Sequence, residues 1–344
     1  MRVLAADVGG TKTAVAIVEI GARSLSVVRE ARYQSREHSG LEEILVHFLR
    51  PERRRPRFAG FGVAGPVQNG RAQITKLPWT LDERDLSRRF RGMSVRLVND
   101  FAANALGLWY LKPRQVRALG RGKPERGGPI ALIGAGTGLG EAGLLRVAGR
   151  YEPFPSEGGH TDFGPRDARE DRLGAFLRRR AGRSEWDRLL SGVGLQHIYD
   201  FLKADGAAAE SPRVARALRE EEDRAAVISR FGLEGRDPLC RETLALFVSL
   251  YGSEAGNVAL QYRATGGLFI AGGIAPKILP ALETGLFLES FRAKPPLENL
   301  LEKIPVRVVL EPRLGLFGAA AAAYRMAIDT TRPFSKTTVR RTTR

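Results

Sequence analysis

Cysteine is nearly missing. Cys240 stands alone among 344 residues, so no intramolecular disulfide and no cysteine-based zinc cluster can form, which fits a reducing compartment and excludes a secreted disulfide scaffold. Long hydrophobic runs are missing as well. No stretch approaches the ~18–20 consecutive apolar residues of a membrane span, and Asp7, Gly9-Gly10 and Lys12 interrupt the apolar start that a signal peptide would need. A cytoplasmic protein with no membrane partner is expected. Lysine is scarce: only 9 of the 55 basic residues are lysine, and the net charge of +17 against 38 acidic residues comes from arginines scattered among acids along the chain. The denser patches, Arg53-Arg54-Arg55, Arg178-Arg179-Arg180 and the tail from Thr331 to Arg344, lack the interleaved aromatics of a stacking platform. No nucleic-acid partner is expected, although the charge attracts polyanions in general.

With 43% hydrophobic and 27% charged residues, the chain can bury a sizeable core as one large domain or two ordinary ones. Val3–Ala6 and Thr13–Val18 are β-prone runs around Asp7-Val8-Gly9-Gly10-Thr11-Lys12, so the chain opens as a hairpin on a glycine turn. Leu41, Ile44, Leu45 and Phe48 have helical spacing. Phe58–Ala64 and Val95–Val98 read as strands, the second delivering Asn99-Asp100 to a helix from about Ala102 to Leu111. After a Gly/Pro-containing connection, Lys112 to Pro129, the pattern restarts: a strand at Ile130–Ile133, the turn Gly134-Ala135-Gly136-Thr137-Gly138, and a strand-like run Ala142–Val147. A helix-rich middle follows, then a strand at Leu268–Ala271 before Gly272-Gly273, and a small-residue helix over Gly315–Arg325. This alternation indicates an α/β architecture.

Glycine turns let backbone N–H groups approach phosphate oxygens, and two occur here, each with a threonine. The nucleotide P-loop pattern fails, because Gly122-Lys123 precedes Pro124. A literal G-x-G-x-x-G at Gly138, Gly140 and Gly143 leads into strand-like residues, so no Rossmann helix begins there. Asn99-Asp100 at a strand-to-helix junction suits an N-cap as well as a site. Ser156-Glu157-Gly158-Gly159-His160-Thr161-Asp162 gathers carboxylates and an imidazole around paired glycines, as a loop for a polar ligand would. No G-x-S-x-G elbow supports a catalytic serine.

Taken together, LAADVGGTKTAVAIVE, GFGVAGPV, LVNDFAANALGL, IGAGTGLGEAGL, PSEGGHTDFGP, LLSGVGLQHIYDFL, GGLFIAGGIAPKILP and GLFGAAAAA resemble, in order across about residues 4–323, the bacterial glucokinase family, a branch of the sugar kinase, hexokinase and actin-like ATPase superfamily. The resemblance implies an α/β, two-lobed actin-like (ribonuclease H-like) fold with a central cleft. Its small lobe would be residues 1–110 completed by a C-terminal helix over 315–330, its large lobe residues 111–314, with 331–344 a mobile tail. It implies ATP-dependent phosphorylation of glucose at the 6-hydroxyl, ATP and Mg²⁺ as cofactors, and a homodimer.

By the same resemblance, Asp7 organises magnesium through water, Gly9, Gly10 and Thr11 form one phosphate loop, and Gly136, Thr137 and Gly138 form the other. Gly272 and Gly273 lie under the adenosine. Asn99, Asp100, Glu157 and His160 bind the sugar, with Asp100 as the base. Asp187 stands where the family usually has a sugar-binding glutamate, one methylene shorter; otherwise Glu185, or no carboxylate, takes that role. The lone cysteine leaves no zinc loop, so His160 is a sugar ligand by resemblance. Competing readings are a kinase for another hexose or one using polyphosphate, and a sugar-sensing regulator without turnover. The last is disfavoured because only six residues precede Asp7, too few for a DNA-reading motif.

Overall fold

The computed structural model describes residues 1–331, with side chains to residue 330; residues 332–344, nearly all of the expected tail, lie outside it. The chain divides into two units: residues 1–110 with the segment from Arg313 onward, and residues 111–312.

The first unit contains β1 (Arg2–Val8), β2 (Lys12–Ile20), β3 (Leu25–Gln34), β4 (Phe58–Val63), β5 (Val67–Gln68), β6 (Arg71–Gln73), β7 (Thr80–Asp82) and β8 (Ser94–Asn99). The second contains β9 (Val116–Ala118), β10 (Ile130–Ala135), β11 (Leu139–Val147), β12 (Arg150–Ser156), β13 (Gly267–Ala271) and β14 (Val306–Val309). Their main sheets run β3-β2-β1-β4-β8 and β12-β11-β10-β13-β14-β9. In each, three antiparallel strands lead into parallel ones: β1 pairs antiparallel with β2 and parallel with β4, and β10 does the same with β11 and β13. The two glycine turns therefore occupy equivalent places, β1 to β2 and β10 to β11.

The central strands are apolar on both faces because both faces are covered. Val3, Leu4, Ala5 and Ala6 are buried in succession, as is all of β10. On one side of the first sheet, the helix Leu41–Leu49 buries Leu41, Ile44, Leu45, Phe48 and Leu49, a stripe at helical spacing. On the other, the helix Leu314–Thr331 lays Ala319–Ala323 against β1, β2 and β4. Glycine permits that approach: a Cβ on Gly60 would stand 2.0 Å from the Ala319 carbonyl oxygen, and one on Gly318 1.6 Å from that of Ala103. The second core centres on the 24-residue helix Pro238–Gln261. It starts at the Asp237 cap, whose Oδ1 accepts the Cys240 N–H at 2.8 Å, with proline in its first turn, the preferred arrangement at a helix N-terminus.

Three local expectations change. The Lys112–Pro129 connection contains β9, which adds antiparallel to β14. The helix expected over 102–111 is α-helical over Asp100–Gly107 and then a tight turn to Tyr110, because Asn99 caps it two residues earlier. β3 and β12 escaped notice because they are half-exposed edge strands; β12 even contains Pro153 and Pro155, which an edge tolerates.

Candidate functional site

In the first unit, β1, β4 and β8 are parallel neighbours in a register that aligns Val8, Val63 and Asn99. Their carboxyl ends thus bring Asp7, Gly65 and Asn99-Asp100 to one sheet edge, the usual ligand edge of a parallel sheet. The Asn99 Oδ1 caps the following helix, accepting from the Phe101 and Ala102 N–H groups at 3.0 and 3.1 Å, and its Nδ2 donates to the Gly65 carbonyl at 3.3 Å. The Asp100 Oδ1 accepts from Phe101 N–H at 2.9 Å, in a first helical turn that favours negative charge.

Three carbonyls of the first glycine turn are occupied. Gly9 O accepts from Ser35 Oγ at 2.8 Å, Thr11 O from Ser35 N–H at 2.9 Å, and Lys12 O from Gly9 N–H at 3.0 Å. The N–H groups of Gly10 and Thr11 have no acceptor among the described residues. A Cβ on Gly10 would meet Thr75 O at 2.6 Å, so only glycine fits. Asp7 lies at the base of this turn, half-buried, with no donor to its carboxylate among the described residues, and burial raises it to about 6. A carboxylate that has lost water without gaining donors suits a divalent cation, and Mg²⁺, which keeps its waters, is bound by few carboxylates. The donor set at Asp7 fits that ion.

In the second unit, the second turn repeats this arrangement. Gly136 O accepts from Gly192 N–H at 3.0 Å, Gly138 O from Gly136 N–H at 2.8 Å and Ala135 O from Ile274 N–H at 3.2 Å, while the N–H groups of Thr137 and Gly138 have no acceptor among the described residues. Gly272 (φ +81°) closes against it: a Cβ there would stand 2.3 Å from Ala135 O, whereas one on Gly273 would meet nothing within 4 Å. The glycine pair after β13 and the turn after β10 are thus side by side, as parallel pairing of those strands requires.

Glu157 and His160 are exposed on the turn that follows β12. Ser156 Oγ accepts from Gly158 N–H at 2.9 Å, and Thr161 Oγ1 donates to Gly158 O at 2.7 Å, so this serine supports the turn. Asp162 bridges to Glu185 in an antiparallel pair, which sets the buried Glu185 beside His160, Oε2 to Nδ1 3.4 Å. Arg183 and Arg188 hold the Glu185 carboxylate from 3.3 and 3.1 Å. The ligand atoms of His160, Glu185 and Asp187 lie within 4.8 Å of one another, but the two arginines already satisfy the charge that a metal would bring.

The Asp187 Oδ1 accepts from Leu139 N–H at 2.7 Å and stands 2.5 Å from where a Gly138 Cβ would be. Its carboxylate is therefore tied to the second glycine turn. Sequence reasoning missed Ser35 and Gly192, which tie the two turns, because each pins a turn far from it along the chain and carries no pattern of its own. It weighed Glu185 only as a substitute for Asp187, whereas the fold uses both.

Among the described residues no helix is long and apolar enough to cross a membrane. A family model described as Glucokinase matches residues 4–326. A glucokinase of Trichormus variabilis is 41% identical over 338 residues, covering 94% of this chain and 99% of the relative. The crystal structure of a glucokinase from an Antarctic psychrotroph superposes with a TM-score of 0.82 at 30% identity, covering 94% of this chain and 99% of that one. A Streptomyces griseus ROK family glucokinase, solved with glucose and AMPPNP, has a TM-score of 0.65 at 19% identity, covering 94% of this chain and 100% of that one; its likeness concerns the fold.

Proposed function

This chain belongs to the glucokinase family and is a kinase that phosphorylates glucose; on that premise we propose which of its residues do so. The donor is ATP with Mg²⁺, and the acceptor is the 6-hydroxyl. Asp100 takes the proton of that hydroxyl as its oxygen bonds to the γ-phosphorus, and the bond to the β,γ-bridging oxygen breaks with its electron pair leaving on ADP. Such transfer depends on positioning and charge neutralisation more than on covalent chemistry. The two sets of undonated N–H groups, at Gly10-Thr11 and Thr137-Gly138, receive phosphate oxygens. Gly9 and Gly136 shape those turns, and Gly272-Gly273 leave backbone bare for the adenosine.

Asp7 would hold the magnesium through water, and the ion, when bound, would supply charge stabilisation for phosphoryl transfer. Asn99, Glu157 and His160 read sugar hydroxyls, each of which needs a partner once water is excluded. Glu185 faces Nδ1 of His160, which leaves Nε2 for the sugar. Asp187 acts on the phosphate turn through Leu139. A homodimer in the cytoplasm is the accompanying proposal.

The observation that carries this reading is the shared edge of β1, β4 and β8, where an undonated carboxylate, Asp7, and the Asn99-Asp100 pair stand on parallel neighbours. A coupled assay with a panel of hexoses crossed with ATP and polyphosphate tests it. Turnover should be highest with glucose and ATP and should vanish on chelation of magnesium. Faster turnover with polyphosphate, or with another hexose, would replace the corresponding substrate.

A further inference from the structure

Beneath the Glu157–His160 turn lie two glutamates that the chemistry above does not use. Glu141, on β11, and Glu254, on the helix Pro238–Gln261, are each 1% exposed. Neither oxygen of Glu141 receives a hydrogen bond from an N–H or hydroxyl donor among the described residues. Its Oε2 stands 2.0 Å from where a Cβ on Gly158 would be, so the carboxyl is packed against the backbone of the turn at a place only glycine allows. Glu254 Oε2 accepts from Asn257 Nδ2 at 2.7 Å, and Glu254 and Glu141 are electrostatic neighbours, each acting on the other's carboxyl.

Two carboxylates cannot both stay ionised at contact in a dry site, whereas one proton between them supplies the missing donor and removes one charge. Burial raises the Glu141 carboxyl, and burial followed by the Glu141 charge raises that of Glu254. The cation that acts on Glu254 is Lys294. Lys294 bonds to Ser253 Oγ at 3.1 Å and acts on Glu254 from there, itself held down by burial and by Arg166, with Glu170 beyond. Tyr251 and Tyr262 face Glu141 and are raised, hence neutral. Tyr251, one helical turn before Glu254, accepts from the Ala135 N–H at 3.0 Å at the root of the second glycine turn.

We propose that Glu141 and Glu254 share one proton, and that this carboxyl–carboxylate pair is a positioning device that holds Gly158, and with it Glu157 and His160, in the arrangement that binds glucose. The proposal rests on the sugar-binding role given above to Glu157 and His160. Loss of the shared proton to solvent takes the pair from one negative charge to two. The repelled Glu141, whose Oε2 is packed against the Gly158 backbone, then presses on the turn, so the turn shifts and glucose binding weakens while the phosphate turns keep their hydrogen bonds.

The test is the KM for glucose, the KM for ATP and kcat of the full-length enzyme from about pH 6 to about pH 9, the range into which buried carboxyls are raised. The expected result is a KM for glucose that rises about fivefold or more on the alkaline side, with the KM for ATP level. That factor is the size of a typical coupling between sites. Glu254→Gln puts a permanent N–H donor beside Glu141 and cannot titrate, so its glucose KM should stay flat across the range. Glu141→Gln is the mirror variant and should behave alike if the first fails to fold. A flat wild-type profile overturns the proposal, and so does an alkaline rise that survives in either variant. Urea unfolding gives a second readout. Acids raised in the folded state stabilise it at low pH and lose that contribution as pH rises through neutrality, so wild-type stability should fall over the range and the variants should lose less; equal losses overturn the shared proton. His160→Ala in the same assay separates the premise: an unchanged glucose KM there removes the sugar role of the turn, whatever the pair's own profile.

Discussion

The two glycine turns are built alike and handle charge oppositely. Both join an antiparallel hairpin at the centre of a sheet, both have three carbonyls held by hydrogen bonds, and both leave two N–H groups without acceptors among the described residues. At the first, the acid at the base, Asp7, has no donor among the described residues and is raised by burial. At the second, the nearby acid, Asp187, already accepts from Leu139 N–H. The same hairpin therefore combines a carboxylate without donors and free N–H groups in one unit, and free N–H groups beside an already bonded carboxylate in the other. What separates them is the hydrogen-bond state of a single carboxylate.

The largest effect should come from the acid proposed as the base in the first unit. Asp100→Ala is expected to lower kcat by roughly two or more powers of ten, the scale of a positioned base, with the KM for ATP within about threefold. Steady-state kinetics with near-normal turnover would leave Asp100 as a residue of the helix start only.

A matched pair of amides tests the comparison directly. If Asp7 organises magnesium and its waters as proposed, Asp7→Asn should raise the Mg²⁺ concentration for half-maximal rate by about 10–100-fold, the range for groups that act on a metal through an intervening ligand. Asp187→Asn keeps an oxygen to accept from Leu139 N–H, so its Mg²⁺ requirement and KM for ATP should change by no more than about threefold. Similar Mg²⁺ titrations for the two variants would erase the distinction between the turns.

The smallest effects should separate a turn's packing from its ligand. A Cβ at 138 would stand 2.5 Å from Asp187 Oδ1, whereas at 136 the nearest neighbour is 4.0 Å away. Gly138→Ala should therefore lower stability in urea by about 1–3 kcal/mol, the range for overpacking. Gly136→Ala should unfold normally yet raise the KM for ATP several-fold. The reverse order would mean that the Asp187 contact does not constrain the turn.

Much of this was legible because glycine and periodic apolar residues act locally. The glycine turns after β1, β10 and β13, the helix at Leu41–Leu49 and the strand before Asn99-Asp100 all follow from residues within a few positions of one another. The choice of Asn99 as the helix cap was less legible, since Asn and Asp are equally good caps and the start of the helix depends on which one takes the role. Glu185 was harder still. Its partner His160 is reached through the Asp162–Glu185 bridge, a pairing between segments that carry no strand signature.

The sequence by itself determined the α/β alternation, the two turns and the family, because backbone freedom at glycine and the spacing of buried side chains are properties of short segments. Only the tertiary structure decided which acids have partners. Whether Asp7 is left without donors, Asp187 is tied to Leu139, Glu185 is clamped by arginines or Glu141 is pressed against Glu254 depends on segments distant in the chain, and burial turns those encounters into shifts of charge that no local pattern encodes.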